Sequence, residues 1–142
     1  MAPFAGFLDA SDAPSARAAL VLLFWSYFET RIERLLRAAM RSLPPRVLED
    51  QLRRYSGIGP RLYELYKIYF DTNYFDDLRS LGHSSVASML TDLHVRRNEF
   101  THGNPKAISD PVVSELVASL KDEHEAWIAA YNKRVAPSRD RR

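Results

Sequence analysis

The sequence predicts an all-α fold, an antiparallel bundle of four to five helices forming one domain over residues 1–142. Three observations predict it. Apolar residues recur every three or four positions, no stretch alternates as a strand would, and prolines and glycines fall where helices should start or stop. With 46% apolar and 27% charged residues, the chain has the composition of an ordinary globular domain, long enough to bury its own core.

Residues 1–11 are expected to form a loose arm. Asp12 and Pro14 supply a capping acid and a first-turn proline, so a first helix is predicted from there to about Leu43, where Pro44-Pro45 stops it. Its apolar stripe runs from Val21 through Trp25, Phe28, Ile32 and Leu35 to Met40 and is over-wide at its start, which predicts packing on two sides. Glu29, Glu33 and Arg37 lie opposite, the last two spaced for an ion pair. A second helix is predicted over residues 46–55. Gly57-Ile58-Gly59-Pro60 then breaks the chain before a third over 61–70. Tyrosines in this region alternate with Arg53, Arg54, Arg61 and Lys67, a pattern able to stack bases and hold phosphates. Aromatics at helical spacing more often fill a core, and that reading is preferred.

A short helix over 74–81 ends at Gly82, and a long one starts near Ser84. Asn104-Pro105-Lys106 opens a loop, and Asp110-Pro111 starts the last helix. It should run to about Val135, with Val113, Leu116, Val117, Leu120, His124, Trp127 and Tyr131 on one face. The basic tail 136–142 is expected to be disordered.

Several function classes are set aside by what is missing. There is no cysteine, hence no disulfide, thiolate nucleophile or zinc–sulfur site. No P-loop, dinucleotide fingerprint or Gly-x-Ser-x-Gly elbow occurs. His94 and His102 are eight apart, His83 and His124 have no companion at a ligand spacing, and Asp76-Asp77 and Asp122-Glu123-Glu125 read as solvated acidic faces. No metal and no cofactor are expected. The first ten residues carry no positive charge, and the apolar run from Ala18 to Trp25 is too short to span a bilayer. A cytoplasmic protein without a membrane role is expected. Net charge is only +2, but four lysines among 20 basic residues leave sixteen arginines, whose planar forks match phosphate and carboxylate.

The most informative stretch is Arg96-Arg97-Asn98-Glu99-Phe100-Thr101-His102-Gly103-Asn104-Pro105. Val86, Met89, Leu90, Leu93 and Phe100 share one helical face, and Arg97 falls on it, where a long cation requires a partner. Asn98 and His102 share another face with His94. Arg97 and His102 are about 140° apart around an ideal helix. They can reach one ligand if the backbone loosens at His102-Gly103, or if a second copy supplies the opposing wall.

Arg97, four intervening residues and His102, with the polar Asn98 directly after the arginine, resemble the Arg-x4–6-His motif of the HEPN superfamily. The resemblance is concentrated in residues 84–105. It implies a four- or five-helix bundle that dimerises, bringing two motif helices into one cleft, and a metal-independent endoribonuclease activity. Arg97 and His102 would be catalytic, with Asn98 in support, and Arg96, Glu99, Asn104 and Lys106 the flanking substrate contacts. Histidine exchanges protons near neutral pH, and arginine supplies fixed charge to the phosphate, so the attacking oxygen would be the RNA's own 2′-hydroxyl. Many relatives are toxins neutralised by a partner, often a small nucleotidyltransferase, or act in antiviral defence. In a subset that partner adds AMP to a tyrosine two residues after the histidine; this chain has Asn104 there. The alternative reading is a non-catalytic HEPN-like module that dimerises or binds a nucleotide or a partner. An unrelated helical interaction domain is the third.

Overall fold

The computed structural model describes residues 13–135, with side chains from residue 16; the expected arm and the basic tail lie outside this range. Six helices, rather than four or five, account for most of it, and there is no strand among the described residues. They are α1 (Ala13–Ala39), α2 (Pro45–Arg54), α3 (58–70), α4 (Tyr74–Ser80), α5 (Ser84–Thr101) and α6 (Asp110–Arg134). None is long and apolar enough to cross a membrane.

Two helix limits differ from expectation for local reasons. α1 stops at Ala39 instead of Leu43 because the chain tightens into three-residue bonds there, Arg41 N–H to the Ala38 carbonyl and Leu43 N–H to that of Met40. Pro44 then drives Leu43 out of the helical region. α3 begins at Ile58, inside the expected breaker, since only Gly57 takes a positive φ, of 92°. Residues Arg61–Leu65 within it form a π-helical turn. Arg61 ties that turn down: Nε donates to the Tyr55 carbonyl and Nη2 to that of Leu52, both at 3.0 Å, while Nη1 reaches Glu33 at 2.7 Å. The Leu52 carbonyl, one of the orphans at the end of α2, and that of Tyr55 just past it are thereby satisfied. Arg61 is spent on this; Tyr66 and Tyr74 are fully buried as the core reading expected, Tyr55 and Tyr69 are half-buried, and Tyr63 is exposed.

The two longest helices are not antiparallel. Arg17 pairs with Asp110 at 3.0 Å and Arg31 with Glu123, so equal advances along α1 and α6 keep them side by side, running in the same direction. Parallel neighbours need a long return, and residues 45–101 provide it. α5 runs against α6: it follows α4, which is bonded to Lys133 and Arg134 at the far end of α6, and its Arg96 reaches the Ala107 carbonyl just before α6 begins.

Burial also corrects the reading of the acidic clusters. Glu123 and Asp77 are 3% and 1% exposed, not solvated. Glu123 faces Arg31, which is 2% exposed and lies beneath the rings of Tyr27 and Trp127, 4.7 and 5.5 Å from their centroids. Burial pushes the Glu123 carboxyl above its ordinary value, against the pull of Arg31. Bringing Glu123 inward rotates α6, so Val117, Leu120 and His124, expected on the buried face, stand exposed, while Val112, Leu116, Ala126 and Ala130 are buried.

Asp77 collects a two-pronged contact from Arg134 at 2.7 and 2.8 Å, Lys133 at 2.9 Å, and the Tyr66 hydroxyl. Burial alone would raise its pKa; these donors outweigh burial and hold it below the ordinary carboxylate value. A carboxylate depressed in the fold stabilises it above the unfolded value near 3.8, and that contribution is lost as pH falls through the folded value. Asp77→Ala should therefore cost about 3–5 kcal/mol by urea denaturation at pH 7, the scale for breaking a buried pair. The difference from wild type should shrink below about pH 4. An unchanged difference at low pH would show that the loss is packing alone.

Candidate functional site

α5 reaches its C-terminus as a helix whose buried face is Val86, Ala87, Met89, Leu90 and Leu93. The next turn carries His94, Arg97 and Asn98 toward α1, where Trp25 and Glu29 stand one turn apart. The His94 ring stacks on Trp25, centroids 5.1 Å apart and planes 15° from parallel. Arg97 lies one turn further. Its Nη1 donates to Asn98 Oδ1 at 3.1 Å, and its Nη2 is 4.0 Å from Glu29 Oε1, a loose pair. The side chain is 31% exposed, and its Nε is buried with no acceptor.

His102 closes α5. It is the C-cap, followed by Gly103 at φ 102°. Gly103 N–H donates to the Phe100 carbonyl and Asn104 N–H to that of Glu99, which together make a Schellman cap. A left-handed residue is required at 103, and glycine adopts it without the Cβ penalty. The cap aims the His102 ring back along the helix, and Nδ1 lies 2.7 Å from the Asn98 carbonyl. A carbonyl only accepts, so Nδ1 carries the proton and donates. In the neutral ring Nε2 is then the unprotonated nitrogen, on an exposed residue.

Arg97 and His102 do not touch, as the 140° offset anticipated. They are joined through Asn98, whose side chain takes Arg97 and whose carbonyl takes His102. The flanking residues separate from this core. Arg96 is held by Asp92 at 2.8 Å. Glu99 is exposed, and Asn104 Oδ1 accepts from the Lys106 N–H at 3.1 Å in a local turn, leaving the Lys106 side chain exposed. Of these, only the backbone of Glu99 and Asn104 supports the cap.

Three residues of this cluster were not picked out in the sequence as site residues: Trp25, Glu29 and His94. Trp25 and Glu29 are spaced four apart, which puts them on one face of α1, so Glu29 borders the apolar stripe and does not lie opposite it as expected; nothing in the sequence says which helix that face meets. Burial lowers the His94 pKa below the usual imidazole value, and the nearby Arg97 charge lowers it further. No three His, Asp or Glu side chains among the described residues converge as metal ligands would. In comparisons with family models, curated proteins and solved structures, nothing matches the chain.

The His94 surroundings can be checked without any assay of function. In an NMR pH titration His94 should have a midpoint below the ordinary imidazole value, and Arg97→Gln should move it upward but not fully back, because burial remains. A midpoint indifferent to Arg97 would remove that cation from the His94 environment.

Proposed function

We propose that the chain is a metal-independent endoribonuclease that cleaves RNA through the substrate's 2′-hydroxyl. The observation that carries this reading is the joined unit Arg97–Asn98–His102, in which Nδ1 of His102 is committed to a carbonyl and Nε2 is left to exchange a proton. In the reaction Nε2 takes the 2′-hydroxyl proton and the 2′-oxygen attacks the adjacent phosphorus. The bond to the 5′-oxygen breaks, and that oxygen leaves with a proton from the imidazolium or from water. Arg97 swings from its loose contact with Glu29 to the non-bridging oxygens, where negative charge accumulates. Asn98 keeps both groups in register. The products are a 2′,3′-cyclic phosphate and a free 5′-hydroxyl.

The resemblance to the HEPN superfamily extends the reading to a cytoplasmic toxin or antiviral effector held in check by a partner such as a small nucleotidyltransferase. Regulation by AMP transfer to residue 104 forms no part of it, since Asn104 has no hydroxyl and its side chain is engaged with Lys106 N–H. One observation favours the second reading, a non-catalytic module binding a nucleotide or a partner: the guanidinium of Arg97 already has Asn98, with Glu29 close by.

Cleavage separates the two. RNA incubated with the protein in EDTA should be cut, and His102→Ala or Arg97→Ala should lower the rate by roughly 10²-fold or more, the scale for losing proton transfer or charge stabilisation. Helical CD and melting temperature should hardly move, because neither side chain belongs to the core. No cleavage of any RNA by the intact chain favours the binding module.

The attacking oxygen is tested separately. An RNA with a single 2′-deoxy position at the cut site should bind about as well, because phosphate contacts dominate affinity, yet resist cleavage there. Efficient cutting of that substrate would refute the mechanism even with Arg97 and His102 essential.

A further inference from the structure

Among the described residues, the wide apolar stripe of α1 has no partner on its outer side. Leu20, Leu23 and Tyr27 are exposed there, and Val117 and Leu120 are exposed on the adjacent flank of α6. With Phe24 and Leu116 as a floor, they line a shallow groove of about 230 Å³ between the two parallel helices. Leu23, 71% exposed, projects beside it. Every lining residue is apolar apart from the Tyr27 hydroxyl. Small-molecule sites usually offer about 300–1,000 Å³ and a few convergent polar groups. This groove is smaller and offers only the Tyr27 hydroxyl, which suits one or two aliphatic side chains.

We propose that this face is where two copies of the chain associate about a two-fold axis, each Leu23 entering the other copy's groove. Three features favour a second copy. The knob and the hole lie side by side on one surface, as an isologous contact needs. A two-fold contact sets identical residues near each other, so like charges would oppose it; beside the groove the exposed Ala19, Thr30, Ser114 and Ala118 are uncharged, with the charged Lys121, Arg34 and Asp110 toward its ends. The five apolar side chains expose on the order of 500 Å², at the upper end for a soluble monomer. With the rim, that approaches the ~800 Å² per partner of a stable interface.

The placement has a consequence for the site. By helical geometry Trp25 and Glu29 lie about 170° around α1 from Leu20, Leu23 and Tyr27. The interface therefore backs away from Arg97 and His102, and each copy keeps a site of its own. This differs from the shared cleft that the HEPN resemblance implies, and it stands whether or not RNA is cleaved.

Light scattering after gel filtration at tens of micromolar should give twice the 16.3 kDa chain mass. Leu23→Asp and Val117→Asp, each at an exposed position, should separately give folded monomers by mass and helical CD. The chain has no cysteine, so one introduced thiol reports one position. A short bis-maleimide should link copies through Ala118→Cys and not through Asn104→Cys, which sits beside His102. A monomeric wild type overturns the proposal, as does a dimer that survives both aspartates. Linking through position 104 alone overturns its placement. Dimerisation only after removal of residues 1–12 overturns it as well, by giving the groove to the chain's own N-terminus.

Discussion

Two charges removed from water, Arg31 and Glu123, set the register on which the remaining geometry depends. Each is buried to within a few per cent, so neither can slide along the α1–α6 contact without leaving the other unpaired, a loss larger than a typical packing adjustment. The pair fixes how far α1 has advanced relative to α6 and how both are rotated. Trp25 and Glu29 are thereby turned toward α5, and Leu20, Leu23 and Tyr27 away from it. The stack of His94 on Trp25 and the loose pairing of Arg97 with Glu29 follow from a commitment made less than two turns away on the same helix.

Much of the fold was legible because its signals are local. Proline and glycine positions located every helix to within a few residues, and the buried face of α5 was read correctly from spacing alone. What escaped was non-local. Asp77 and Glu123 look like members of solvated acidic runs until their cations arrive from 57 and 92 residues away, Arg134 and Arg31. The direction of α6 relative to α1 is likewise invisible in either helix, since it depends on how the intervening segment returns the chain. The rotation of α6 was misjudged for a related reason: the apolar stripe Val117–Leu120 is real, but the burial of Glu123 turned it to the surface.

The candidate site divides along the same line. Arg97, Asn98 and His102 lie within six residues on one helix, so their relation is nearly a property of helical geometry, and the offset between Arg97 and His102 came through as expected. The cap that aims His102 was also visible, as Gly103 followed by Asn104-Pro105. Glu29, Trp25 and the stacking of His94 required knowledge of which helix crosses α5. The motif is thus a local object placed on a non-local surface, and only the local half could be read.

The π-helical turn in α3 has a bearing on how this chain tolerates changes of length. Residues 61–65 hold one residue more than a regular α-helix of equal span would need. The surplus is absorbed between Leu62 and Leu65, both fully buried, with Tyr63 and Glu64 bulging outward. Loss of one outward residue would let the turn relax to regular helix with Ile58 and Tyr66 still facing the core. The same deletion elsewhere in these helices would swing everything beyond it by about 100°. α3 is the one segment among the described helices whose register carries slack.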